Sequence, residues 1–312
     1  MRLMFAGTPE PAVAALERLL ASDHEIVAVL TRPDARKGRG RSLYPSPVKA
    51  LAQTHGIPVF TPSTLRAGTP DGDQFRSDLA ALNIDCAPVV AYGNLIPADL
   101  LDAVPHGWVN LHFSLLPRWR GAAPVQAAIA AGDTTTGATT FRIDEGLDTG
   151  PILASLTEPI MPEDTADDLL TRLAYAGSDL LVATMNQLAA GTATLQPQVG
   201  ESTHAAKILS SDAQIQWNTP AAEIDRNIRA VTPAPGAWTT LDSDRVKLGK
   251  VLPLAETSQD APGTIRIEKT RVVVATATQD VALTTIQVPG KKMMNAIDWA
   301  RGRHTTEGLL FS

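Results

Sequence analysis

The chain has 312 residues, 44% hydrophobic and 19% charged, with a formal net charge of −6. That length exceeds one ordinary compact core and suits two domains of roughly 150 residues each, and the composition excludes a disordered or fibrous chain. No window approaches the roughly 20 apolar residues of a membrane span, and the apolar start around Leu3 is far shorter than a signal-peptide core.

The single cysteine, Cys86, lies in an apolar run and cannot form an internal disulfide or supply cysteine-type metal spacing. A reducing, cytoplasmic setting is expected. The charge is uneven: residues 208–312 carry 12 Lys and Arg against 11 Asp and Glu, a net of +1, and the rest carry 15 against 22. Arg32, Arg36, Lys37, Arg39 and Arg41 crowd one glycine-containing loop, and Lys291 and Lys292 sit at another turn. Such runs are more often solvated faces than binding sites.

Strand and helix patterns alternate from the start. Leu3 to Ala6 reads as a buried strand and Pro11 to Leu20 as a helix with proline in its first turn. Glu25 to Leu30 is a strand, Val48 to His55 a helix, Val59 and Phe60 a brief strand, Asp73 to Asn83 a helix, and Ala87 to Tyr92 a buried strand. Continuous apolar strands alternating with helices predict an α/β domain with a Rossmann-like, doubly wound, mostly parallel sheet. The first turn, Gly7-Thr8-Pro9-Glu10, lacks the three glycines of a dinucleotide fingerprint, and Pro9 removes a backbone donor, so no nicotinamide cofactor is expected there.

Trp108 to His112 is the next strand, Pro124 to Ala131 a helix, Gly137 to Ile143 and Ile152 to Leu156 strands. Thr165 with Asp168 resembles a capping box opening a long helix that Gly191 stops. The segment from Gly191 to Lys207, broken by Pro197 and Gly200, suits a linker. This divides the chain into a domain over 1–190, a linker over 191–207 and a second domain over 208–312. There a helix from Thr219-Pro220 through Ala230 precedes four strands, Val246 to Leu248, Thr264 to Ile267, Val272 to Ala275 and Ala282 to Val288. A final helix is expected around Asn295 to Arg301. Antiparallel strands of this number need closure, which predicts a small β-barrel of the oligonucleotide-binding (OB-like) type.

The chemistry gathers at strand ends. Asn110 and His112 stand two residues apart and so share one face of a strand. In open α/β sheets ligands bind beyond the carboxyl ends of strands. Asn110 offers an uncharged amide donor to a carbonyl oxygen becoming an oxyanion, and an imidazole at position 112 exchanges protons near neutrality or stabilises negative charge when protonated. The loop Asp144 to Gly150 (DEGLDTG) brings carboxylates to the same edge, where Asp148 orients the imidazole, raises its basicity or holds a water. Taken singly, a strand-end Asn is commonly a turn former, a lone His a structural residue and Asp148 a turn residue; their convergence points to acyl transfer.

Asn110-Leu111-His112, Ser114-Leu115-Leu116-Pro117, Arg118-Trp119-Arg120-Gly121-Ala122-Ala123-Pro124 and Gly146-Leu147-Asp148-Thr149-Gly150 together resemble the methionyl-tRNA formyltransferase family. Tyr92-Gly93, the loop from Arg32-Pro33-Asp34 to Val48-Lys49, and Pro289-Gly290-Lys291-Lys292-Met293 extend the resemblance over nearly the whole chain. Phe113 and Gln216 depart from the family pattern.

The resemblance implies formyl transfer from 10-formyltetrahydrofolate to the amino group of methionine on initiator tRNA, for translation initiation. It implies Asn110, His112 and Asp148 as the catalytic trio, Ser114, Leu115, Leu116 and Pro117 along the folate, and Arg36, Lys37, Arg39 and Arg41 on tRNA phosphates. The second domain would grip the tRNA backbone. No metal is expected, and the chain is read as a monomer. Two alternatives are a formyltransferase for a small amine, such as an amino sugar or nucleotide, and a non-catalytic nucleic-acid-binding protein.

Overall fold

Short apolar runs without helical spacing form strands, and the amphipathic segments between them form helices that cover the sheet. The structure, a computed structural model, describes residues 1–37, 42–303 and 308–312. In chain order the elements begin with β1 (Arg2–Gly7), α1 (Glu10–Leu20), β2 (Glu25–Leu30), β3 (Ala35–Lys37), β4 (Ser42–Tyr44), α2 (Pro47–Thr54) and β5 (Val59–Phe60). They continue with α3 (Pro70–Leu82), β6 (Ala87–Val90), α4 (Ala98–Leu101), β7 (Trp108–His112), β8 (Arg120–Gly121) and α5 (Pro124–Ala131). Then come β9 (Thr135–Arg142), β10 (Ile152–Pro159), the long α6 (Ala166–Ala189) and β11 (His204–Ala205).

A seven-stranded sheet runs in the order β10-β9-β7-β6-β1-β2-β5. Its strands from β7 to β5 are parallel, β9 runs antiparallel to β7, and β10 antiparallel to β9. After β5 the chain returns to the far side of β1, so the order reverses between β1 and β6. That reversal is where a doubly wound sheet opens a crevice at its carboxyl edge. Helix α1 buries Ala12, Ala15, Leu16 and Leu19, the spacing of one helical face. Below the edge, Trp108 is fully buried and donates its indole N–H to Leu100 O at 2.7 Å, and Phe60 meets Phe75 edge to face at 6.2 Å.

Helix α3 starts three residues before its expected position. Thr69 caps it by accepting from Gly72 N at 3.2 Å, Pro70 takes the first turn, and Asp71 and Asp73 complement the helix dipole. The capping box ahead of α6 forms: Thr165 N donates to Asp168 Oδ2 at 3.0 Å and Asp168 N to Thr165 Oγ1 at 3.3 Å. The basic segment was read as a glycine-containing loop, and its arms form a hairpin in which Ala35 pairs with Tyr44 and Arg36 with Leu43.

Cys86 is buried, and the loss of solvent pushes its thiol up to about 12. The thiolate, the reactive species, is therefore scarce at neutral pH. Native protein at pH 8 is expected to resist alkylation by iodoacetamide and to react fully once unfolded in guanidinium. Mass spectrometry reads both, and rapid native alkylation would contradict the burial.

The chain divides into two compact units, one of residues 1–124, 135–159 and 170–204, the other of residues 125–134, 160–169 and 205–312. The second contains α7 (Ala221–Ala230), β12 (Trp238–Leu241), β13 (Asp244–Leu248), β14 (Val251–Pro253), β15 (Ile265–Ile267) and β16 (Val272–Val274). It ends with β17 (Val281–Leu283), β18 (Thr285–Gln287), β19 (Met294–Asn295) and α8 (Ala296–Arg301). Two four-stranded antiparallel sheets, β12-β13-β18-β19 and β14-β17-β16-β15, share one core. Trp217 stacks on Phe311 at 5.4 Å and donates to Thr239 Oγ1 at 3.0 Å.

The expected single strand from Ala282 to Val288 is two. At Thr284 the chain leaves the sheet of β17 for that of β18, and the Thr284 hydroxyl donates to Lys250 O. Earlier segments also join this unit: Arg226 Nε donates to Ala130 O at 3.3 Å, and the buried Arg229 donates through Nη1 to Asp164 O at 2.9 Å. Among the described residues no helix is long and apolar enough to cross a membrane.

Candidate active site

Strand β7 lies parallel to β6, with Val89 opposite Asn110, so Asn110 and His112 end it at the carboxyl edge of the sheet. His112 is buried, its ring edge to face with Phe141 at 6.4 Å. Its Nε2 lies 2.9 Å from Trp119 O. A carbonyl oxygen only accepts, so this contact puts the hydrogen on Nε2 and leaves Nδ1 as the proton acceptor. Nδ1 faces Asp148 Oδ2 at 3.7 Å, beyond direct hydrogen bonding. Asn110 is half-buried, and among the described residues its carboxamide has no hydrogen-bond partner.

Asp148 arrives by a different route from the expected one. Because β9 runs antiparallel to β7 and ends at Arg142 opposite Val109, it finishes near the beginning of β7. The following loop turns back along β7 to bring Asp148 to His112. Gly150 permits the turn: a Cβ there would lie 1.8 Å from Arg142 O. Asp144 tightens it by accepting from Gly146 N at 3.1 Å and Thr149 Oγ1 at 2.6 Å. Asp148 itself has φ of 53°, and its Oδ2 accepts from Gly121 N at 2.7 Å. The carboxylate thus links two loops and faces the imidazole.

The segment read as a linker takes part as well. Gln196 and Ile152 exchange backbone hydrogen bonds of 2.8 and 2.7 Å, and Gln198 Nε2 donates to Asp148 O at 2.8 Å and Gly150 O at 2.9 Å. Arg120 donates to Gln198 Oε1 through Nε at 3.1 Å and Nη2 at 2.6 Å. Sequence reasoning missed Gln198 and Thr203. Their partners lie 48 to 86 residues away, and the only local signal was polar residues among turn formers.

In the loop from Ser114 to Pro117, Ser114 is fully buried and donates its hydroxyl to Arg118 O at 2.6 Å, while its carbonyl accepts from Thr139 Oγ1 at 2.7 Å. That hydroxyl holds the loop's own shape. Leu116 is also buried, and Leu115 and Pro117 are part-exposed. In the basic loop Arg32 donates to Gly93 O at 3.2 Å and Lys49 pairs with Asp34 at 2.7 Å, which pins the base of the hairpin. Arg36 is exposed on β3; Arg39, Arg41 and the side chain of Lys37 lie outside the described residues. Among the described residues no group of three His, Cys, Asp or Glu is placed to hold a metal ion.

The family described as "Formyl transferase" matches residues 1–185, and "Formyl transferase, C-terminal domain" matches residues 207–304. A mostly parallel sheet followed by a small antiparallel domain is thus the two-domain formyl transferase architecture. Over 312 residues the sequence is 66% identical to the methionyl-tRNA formyltransferase of Corynebacterium diphtheriae, with all of both chains covered. It is 63% identical to that of Corynebacterium glutamicum over 97% of each chain, and 54% identical to that of Rhodococcus erythropolis over the same share. The chain belongs to the methionyl-tRNA formyltransferase family.

Among solved structures, a sugar 3N-formyl transferase crystallised with dTDP and 5-N-formyl-THF superposes with a TM-score of 0.66 at 19% identity, over 94% of this chain and 99% of that one. A phosphoribosylglycinamide formyltransferase of Bacillus halodurans gives 0.52 at 27% identity, over 60% of this chain and 95% of the other.

Proposed function

We propose that the protein transfers the formyl group of 10-formyltetrahydrofolate to the α-amino group of methionine carried on initiator tRNA, with Asn110, His112 and Asp148 as the catalytic trio. The neutral amine attacks the formyl carbon, and the carbonyl electrons move onto oxygen, where the Asn110 amide donates. Collapse of the tetrahedral intermediate breaks the bond to the folate nitrogen. One proton passes from the amine to that nitrogen, by way of His112 Nδ1 or a water held by Asp148. Holding two large substrates together supplies much of the remaining acceleration.

The observation that carries this reading is the placing of His112. Its Nε2 is committed to Trp119 O, and its Nδ1 faces Asp148 at 3.7 Å, beside an amide that no described protein group engages. Donor binding is assigned to Ser114, Leu115, Leu116 and Pro117, with Ser114 acting through loop shape and Leu115 and Pro117 by contact. The basic hairpin would meet acceptor-stem phosphates through Arg36, Lys37, Arg39 and Arg41. Residues 1–190 are the proposed catalytic domain, 191–207 a connection that also braces it, and 208–312 an OB-like tRNA-binding domain; the crossing between two sheets at Thr284 supports barrel closure. We read the enzyme as a cytoplasmic monomer.

The deciding experiment offers purified protein 10-formyltetrahydrofolate with methionyl initiator tRNA, free methionine or an amino sugar nucleotide. Formylation of the tRNA alone is expected. Efficient transfer to either small amine, or none to tRNA, would overturn the reading.

A further inference from the structure

We propose that Gln198 and Thr203, both from the segment between the two matched family regions, are positioning residues that fix His112 from its two sides. The proposal rests on the reading of His112 and Asp148 as the proton-transfer pair. On the Nε2 side, the imidazole is oriented by Trp119 O. The same Trp119 donates its backbone N–H to Thr203 Oγ1 at 2.8 Å, and the neighbouring Arg120 N donates to Thr203 O at 2.8 Å. Thr203 N in turn donates to Pro117 O at 3.3 Å, so one residue holds Pro117, Trp119 and Arg120 of that loop.

On the Nδ1 side, the imidazole faces Asp148, and the Gln198 amide binds the carbonyls of Asp148 and Gly150. Its oxygen accepts both Arg120 contacts, so a single side chain ties the Asp148 loop to the Trp119 loop. Both loops need such support. Trp119 and Asp148 hold φ of 59° and 53°, a left-handed conformation that residues with a Cβ rarely adopt unless their surroundings hold them there. Neither Gln198 nor Thr203 touches His112; each holds a group that does.

Gln198→Met keeps side-chain length without donors or acceptor, and Thr203→Val keeps shape without the hydroxyl. Each is expected to slow single-turnover formylation roughly ten- to a hundredfold, the cost of displacing a reacting group by about 1 Å. KM for methionyl-tRNA should stay near wild type while the melting temperature falls modestly because loop groups lose their partners, and Thr203→Ser should restore the rate. In a His112→Ala background, neither substitution should slow the reaction further, because groups acting through one residue are not additive.

Losses that multiply in the double variants, a raised KM with unchanged rate, or a Thr203→Ser as slow as Thr203→Val would overturn the inference while leaving His112 catalytic. A fully active His112→Ala would instead overturn the parent reading, and this one with it.

Discussion

Replacing His112 by alanine is expected to lower the turnover of methionyl-tRNA formylation about a thousandfold, within the range of roughly 10²–10⁴ typical of a positioned acid–base group. The imidazole presents Nδ1 to take the amine proton, and its orientation is fixed by Trp119 O. The side chain is buried against Phe141, so alanine also leaves a small void and removes a partner of the Trp119 carbonyl. His112→Gln is the companion variant, since it fills the space without titrating. Rapid-quench measurement of both should give the same loss in rate, with tRNA affinity unchanged. A His112→Gln enzyme within threefold of wild type would show that the imidazole is a packing residue.

Much of this site was legible because its first half is local. Asn110 and His112 lie on one strand with period-2 geometry, and the apolar run before them marks that strand as buried. The capping pair Thr165 and Asp168 was legible for the same reason, three residues apart. Asp148 was found by its loop composition, but the route to His112 was not, because nothing in the residues of β9 distinguishes antiparallel from parallel pairing with β7. The bracing by Gln198 and Thr203 had no periodic signature at all, and polar residues among Pro197 and Gly200 read as a linker. In the C-terminal unit the strand break at Thr284 was hidden for a related reason. The run of apolar and β-branched residues continues through it, and only the two sheets on either side reveal the corner.

Asp148→Asn is expected to cut turnover by two to three orders of magnitude while leaving the fold intact. The amide oxygen of asparagine can still accept the Gly121 N–H that Asp148 Oδ2 accepts at 2.7 Å, so the tie between the two loops survives. What disappears is the negative charge facing Nδ1 at 3.7 Å as that nitrogen takes up a proton. Two unit charges about 4 Å apart interact by about 4 kcal/mol at an effective dielectric near 20, an upper figure for a carboxylate still partly open to solvent. Each ~1.4 kcal/mol lost from transition-state stabilisation is tenfold in rate. Asp148→Ala removes the acceptor as well as the charge and should therefore lower the melting temperature in addition to the rate, because Gly121 N–H loses its partner and a left-handed residue loses its support. Comparing the two variants by single-turnover rate and thermal melt separates charge from scaffold. An Asp148→Asn enzyme with more than a third of wild-type turnover would mean that the carboxylate only ties the loops, and that the proton leaves His112 by a path that needs no counter-charge.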